Sequence, residues 1–144
     1  MNTNALRGTK SLCSIAEKPS LAMTKIERFE DLKCWQAARE LVRESYQAAN
    51  EGTLRTDYDT KSQFKTAALS TMNNIAEGFG RYSDKDFIRF LDTAQSSAQE
   101  VESMLYVLDD LSYLPAEKID SLRSKAAETK NLILGLIRYL RNRG

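Results

Sequence analysis

The stretch SDKDFIRFLDTAQSSAQEVESMLYVLDDLS, residues 83–112, decides the fold. Phe87, Phe90 or Leu91, Ala94, Ala98, Val101, Leu105, Leu108 and Leu111 or Ser112 recur in alternating steps of three and four. That spacing lines one face of an α-helix, and sustained over several turns it forms a seam for left-handed bundle packing. Ser83, with Asp86 at the third helical position, reads as the N-cap. The helix is expected to end near Tyr113-Leu114.

The flanking sequence repeats the pattern three more times. Downstream, Pro115 is placed in the first helical turn, where a missing N–H costs nothing. Ile119, Leu122, Ala126, Thr129, Ile133, Leu136 and Leu140 then form another apolar face. Gly135 inside it is unfavourable by about 1 kcal/mol relative to Ala, which points to a close helix contact. Upstream, Gly78 and Gly80 are expected to stop a helix opening at a Thr56 cap, with face Phe64, Ala67 or Ala68, Thr71 or Met72, Ile75 and Phe79. Before it, a helix is expected from Glu30 to Asn50, with Leu32, Trp35, Ala38, Leu41 or Val42, Ser45 and Ala49 inward and Gly52 ending it in left-handed conformation. Short links force neighbouring helices to turn back, so the expected fold is all-α, an antiparallel up-down-up-down four-helix bundle. It should occupy residues 26–144. Residues 1–25 lack a sustained period and read as a flexible N-terminal extension. Met23 reads as a natural start, which would make residues 1–22 an addition.

Composition narrows the function. Among 144 residues there is no histidine. That removes the commonest general base, the Ser-His and Cys-His nucleophile pairs, and the commonest metal ligand. Cys13 and Cys34 do not stand at a metal or redox spacing. Glu100 and Glu102 do not share a helix face, and Gly78-Phe79-Gly80 is not a phosphate loop. No catalytic residue, cofactor, metal or small-molecule substrate is expected. The longest apolar run, Leu132–Ile137, is far short of the ~20 residues that span a bilayer, and the N-terminus lacks a signal-peptide core. No membrane association is expected, and the protein is placed in the cytoplasm.

The formal net charge is +1, which gives no global nucleic-acid signal. Its distribution is uneven. Residues 84–117 hold two cations against eight acids, and residues 118–144 hold seven cations against two acids. Either the two segments lie side by side and neutralise each other, or the basic tail with Arg138, Arg141 and Arg143 contacts phosphate. Lys65 and Arg81 join those three as candidate phosphate contacts. Trp35, Tyr46, Tyr58, Tyr82 and Tyr106 could stack on bases if exposed. At helical spacing, aromatics more often belong to a core or a subunit interface. Glu77, beside Ile75, Ala76 and Phe79 near a helix C-terminus, is unfavourable unless paired, with Arg81, Arg89 or a neighbouring subunit as partner.

Three segments carry a family resemblance. Phe29-Glu-Asp-Leu-Lys-Cys-Trp-Gln-Ala-Ala38 resembles a "DLxVWQxA" opening. Asn74-Ile-Ala-Glu-Gly-Phe-Gly-Arg81 is similar to a central motif, and Ser83-Asp-Lys-Asp-Phe-Ile-Arg-Phe-Leu91 to an "S-x-x-[DE]-F-x-x-F-L" continuation. The family is that of the intervening-sequence proteins of large-subunit ribosomal RNA, with a related branch in the accessory variability determinant of diversity-generating retroelements. The resemblance covers roughly residues 27–142. It implies a bacterial four-helix bundle assembled as a ring-like homopentamer, encoded within an intervening sequence of ribosomal RNA. The retroelement branch implies a basic ring that binds nucleic acid and a reverse transcriptase. Asn74, Glu77, Gly78, Phe87, Phe90 and Leu91 then look like fold and assembly determinants. Two positions depart from the pattern: Lys65-Thr66 replaces an Arg pair, which weakens the basic surface, and Met72 replaces a proline, which implies a straighter helix. The readings left open are a non-catalytic homo-oligomer associated with ribosomal RNA, a retroelement accessory subunit, and a protein-interaction scaffold without nucleic acid.

Overall fold

The computed structural model describes residues 26–143. The expected N-terminal extension, residues 1–25, lies outside them. Four helices follow in order: α1 Lys33–Ala49, α2 Tyr58–Phe79, α3 Asp84–Asp110 and α4 Ala116–Arg143. Each packs on the next, and α4 returns to α1, which closes an antiparallel bundle. Among the described residues there is no strand, and no helix is long and apolar enough to cross a membrane.

The helix faces follow the expected periods, with local corrections. The chain enters through a 3-10 turn at Phe29–Asp31, and Leu32 is extended before α1 begins. Glu30 and Asp31 therefore precede the α-helix rather than occupying its first turn. The buried face of α1 is Cys34, Ala37, Ala38, Leu41, Ser45, Ala48 and Ala49. Trp35 sits half-buried on the flank, edge-on to Phe29 at 5.2 Å. Asn50 caps α1. Gly52 has positive φ but is not that cap: at φ 53° and ψ −153° it opens a 3-10 turn at Thr53–Thr56, and a Cβ there would strike the carbonyl oxygen of Tyr113.

The cap of α2 is Asp57, not Thr56. Its carboxylate accepts from the Thr60 N–H at 3.2 Å and from the Tyr113 hydroxyl at 2.8 Å, which ties the two loops at one end of the bundle. Helix α2 runs through Gly78 and ends at Gly80. A Cβ on Gly78 would lie 2.7 Å from Cβ of Phe90 and 2.9 Å from Cδ1 of Phe87, so Gly78 marks a close approach of α2 to α3. Ser83 caps α3 as expected, accepting from Asp86 N–H at 3.1 Å. Of the predicted α3 seam, Phe87, Leu91, Ala94, Ala98, Val101, Leu105 and Leu108 are buried. Phe90 is only half-buried and Leu111 is exposed. Helix α3 ends at Asp110, earlier than expected. Ser112 takes φ 55°, and the Tyr113 and Ser112 N–H groups donate back to the carbonyls of Leu108 and Asp109 at 2.9 and 3.0 Å. This is a Schellman closure with serine where glycine is usual. The Pro115 carbonyl accepts the first bonds of α4, from Lys118 and Ile119, so proline stands at the cap just outside the first turn.

The interior has two apolar clusters. One, near the start of α1, contains Leu32, Ile75, Phe87, Leu91, Ile133 and Leu140; the other contains Leu41, Leu54, Phe64, Val101, Leu105, Leu108, Ile119 and Leu122. Burying each such side chain contributes roughly 1.5–3 kcal/mol. Buried Thr71 and Thr129 donate to carbonyls one turn back, at 3.0 and 2.7 Å. The Ser45 hydroxyl is fully buried and has no hydrogen-bond partner among the described residues. Gly135 is not at a close helix contact: the nearest atom a Cβ would meet is the Arg138 guanidinium, 3.9 Å away.

The two glycines should therefore respond oppositely to alanine. Gly78→Ala should lower stability by roughly 1–3 kcal/mol through overpacking. Gly135→Ala should raise it by about 1 kcal/mol through helix propensity. Urea-unfolding midpoints measure both, and a destabilised Gly135→Ala would show that its face is covered. The Asp57–Tyr113 bond should also leave a pH signature. The Tyr113 hydroxyl, and then the Thr60 N–H, hold the Asp57 carboxyl below its usual range, while the Asp57 carboxylate raises the Tyr113 hydroxyl. The Asp57 contribution is complete above its ordinary value near 4 and disappears as pH falls through the lowered one; that of Tyr113 is complete below about 10 and disappears above. Asp57→Asn should flatten thermal stability between pH 5 and 3, and an unchanged acid limb would disprove the linkage.

Candidate nucleic-acid interface

The acidic and basic segments lie side by side. Lys130 of α4 bonds Glu102 of α3 at 2.7 Å, with both side chains mostly buried. Arg143 forks onto both carboxylate oxygens of Asp84 at 2.9 and 3.0 Å, which fastens the end of α4 to the start of α3. The basic helix also satisfies α1: Lys125 stands 3.9 Å from Glu40, and the Ser121 hydroxyl donates to Glu44 at 3.0 Å. The Lys125 ammonium is held above its ordinary value first by its 2.9 Å hydrogen bond to Glu128.

The predicted phosphate contacts thus separate. Arg143 is engaged by Asp84 and lies 5.5 Å from the Tyr139 ring, so its role is in the fold. Arg138 and Arg141 are exposed on α4, and no ion pair holds either among the described residues. Arg81 is exposed at the α2–α3 turn with its guanidinium over the Phe90 ring at 4.5 Å. Arg81, Arg138 and Arg141 therefore share the bundle end where α2 and α4 finish. Lys65 is remote from them, half-buried midway along α2 with its ammonium 4.7 Å from the Tyr46 ring.

The motif residues meet as one structural hairpin. Gly78 admits Phe87 and Phe90, Leu91 is buried below them, and the Phe79 and Phe87 rings meet edge to face at 6.0 Å. Asn74 donates to the Ser70 carbonyl and hydroxyl at 2.9 and 3.1 Å, and that hydroxyl is 2.8 Å from Ser97 Oγ on α3. Glu77 is exposed, and Arg89, one of its expected partners, pairs instead with Asp86 at 3.2 Å. The Cys34 thiol, buried in the core, is pushed up to about 12 by desolvation, which leaves it a packing group. Among the described residues, no three carboxylates or thiols gather to hold a metal ion.

Sequence reasoning missed the cation–aromatic pairing. Arg39 lies 5.7 Å from the Trp35 ring, Lys61 5.1 Å from Tyr58 and Arg123 4.8 Å from Tyr106. The first two are four and three residues apart on one helix, a spacing that was readable. Lys65–Tyr46 and Arg123–Tyr106 cross between helices and depended on bundle register.

Comparison with known proteins adds two findings. A family model described as 23S rRNA-intervening sequence protein matches residues 30–135. A crystal structure of a protein of unknown function from the S23 ribosomal protein family of Bacteroides thetaiotaomicron is similar at 24% identity and a TM-score of 0.67, covering 73% of this chain and 95% of that one. At that identity the likeness concerns the fold. No curated protein matches.

The arginines of the tail should separate by substitution. Arg143→Gln should lower stability by roughly 0.5–1 kcal/mol, while Arg138→Gln and Arg141→Gln should stay within about 0.5 kcal/mol of the parent. Equal effects in urea unfolding would contradict the division.

Proposed function

The chain belongs to the 23S rRNA-intervening sequence protein family, and from that premise we propose that it is a non-catalytic, homo-oligomeric bundle associated with ribosomal RNA or a ribonucleoprotein in the bacterial cytoplasm. The family match carries the reading. Surface chemistry supports it: Arg138 and Arg141 present cations to solvent at one bundle end, with Arg81 at the adjacent turn. A non-catalytic role accords with a sequence that holds no histidine. The pentamer is what the family resemblance implies, and homo-oligomerisation is supported by apolar surface left outside the core, including Tyr106 and Val107 on α3 and Leu111 just past its end, at 62%, 47% and 54% exposure. Single exposed apolar residues are ordinary; Val107 and Leu111, one turn apart, are apolar surface that a partner subunit would cover.

Binding of the purified protein to 23S ribosomal RNA across a salt series tests the reading. Affinity should fall as salt rises, and the slope should shrink by about one for each phosphate-contacting arginine replaced among Arg138 and Arg141. Absence of binding at low salt would overturn the RNA association. Light scattering at micromolar concentration tests assembly, and a monomer would overturn it.

A further inference from the structure

The outer face shared by α1 and α2 is unlike the rest of the surface. Trp35, Val42 and Tyr46 recur along one flank of α1, and Tyr58, Lys61, Lys65, Leu69 and Met72 along the facing flank of α2. The Lys65 ammonium above the Tyr46 ring joins the two flanks at 4.7 Å. Three cation–aromatic pairs lie on this face: Arg39 on Trp35, Lys65 on Tyr46 and Lys61 on Tyr58. Helix rise makes the stripe about 27 Å long from Trp35 through the Tyr46–Lys65 crossing to Tyr58.

Its charge is also distinctive. The acids of α1 and α2 are Glu40, Glu44, Asp59 and Glu77. Glu40 and Glu44 turn toward α4, where they meet Lys125 and Ser121. Asp59 lines the opposite groove, between α2 and α3, with Gln63, Ser70, Ser97 and Glu100. Glu77 is one turn from Asn74, on that same α3 flank. Two aromatic-bound cations elsewhere are neutralised, Arg123 by Asp120 at 3.8 Å and Arg143 by Asp84. No ion pair holds Arg39, Lys61 or Lys65 among the described residues. The stripe thus joins aromatic rings to cations that lie over them and that no carboxylate neutralises, and Tyr58 is 70% and Tyr46 37% exposed.

We propose that the α1–α2 face binds single-stranded RNA, with unpaired bases stacking on Tyr58 and Tyr46 and phosphates meeting Lys61, Lys65 and Arg39. The inference rests on the RNA association proposed above and gives it a form of RNA and a surface. Unpaired bases expose π-faces that a duplex keeps stacked inside itself. A duplex would engage the cations alone.

Fluorescence anisotropy with a labelled oligoribonucleotide of roughly 12 nucleotides, long enough for such a site, tests the proposal against the same strand annealed to its complement. The single strand should bind more tightly than the duplex. Tyr58→Ala should weaken single-strand binding at least about fivefold with little change in salt slope, while Tyr58→Phe keeps it. Lys65→Gln should reduce that slope by about 0.7. Tyr58 lies outside the core, and circular dichroism checks that each variant folds. Equal binding of duplex, or a Tyr58→Ala variant that binds as the parent does, would overturn the inference, whether the RNA is then held by Arg138 and Arg141 or the face is covered by a second copy of the chain. If 23S RNA still binds in that case, the proposed function survives; if no RNA of any form binds, both fail.

Discussion

The approach of α2 to α3 at Gly78 is the constraint on which the bundle depends. The link between these helices is only residues 80–83, so they separate slowly, and their first contact sets the alignment of everything beyond it. Gly78 supplies the space: without a Cβ, it admits Phe87 to full burial and lets the Phe90 Cβ come close. The phenylalanine spacing and the glycine are complementary parts of one joint. Ser83 finishes the joint by capping α3, which fixes where the second helix begins. A side chain at position 78 would have to displace α3 itself, because its obstacle includes the Cβ of Phe90 and not merely the tip of a flexible group.

From that joint the interior builds outward in two apolar clusters, and polar contacts at the surface hold the remaining seams. The opposite end is closed by Asp57, which caps α2 and receives the Tyr113 hydroxyl, so one carboxylate fixes both distal loops. Helix α4 carries cations along both flanks and meets acids from α1 on one and α3 on the other. Pairs of this kind contribute little energy singly when exposed. Their larger effect is on alignment, since a shift of α4 by one turn would leave Lys130, Lys125 and Arg143 all facing the wrong partners.

The same distribution bears on function. Most of the basic C-terminal segment is used internally, so its composition overstates the charge available to a ligand. Exposed or half-buried cations outside those ion pairs include Arg138 and Arg141 at one end and Arg39, Lys61 and Lys65 along α1 and α2. These two areas differ in kind. At the first, Arg138 and Arg141 stand without an aromatic ring beneath them among the described residues; the second interleaves charge with aromatic rings. A protein with net charge near zero can present both because Glu40, Glu44, Glu102 and Asp84 face α4 and not these surfaces.

The sequence by itself determined the number of helices, their type, their caps at Ser83 and Gly80, and the inward faces of α3 and α4, because period and capping are local properties written within a few residues. It also determined that histidine-dependent chemistry is absent. It misplaced Trp35 and Leu111 and left Phe90 and Leu91 as alternatives, of which Leu91 is the buried one; such residues satisfy a helical period at the edge of the apolar face, where a rotation of one residue step decides burial. It read Glu77 as needing a partner from its apolar neighbours in sequence and its place near a helix C-terminus, and helix geometry turns it outward to solvent. Only the tertiary structure decided which glycine marks a close approach, for Gly78 and Gly135 look alike as helix interruptions and differ only in what packs opposite. It also decided which arginines are engaged and which cations rest on which rings, since Arg143 with Asp84 and Lys65 with Tyr46 are contacts between elements distant in sequence, fixed by bundle register and by no local pattern.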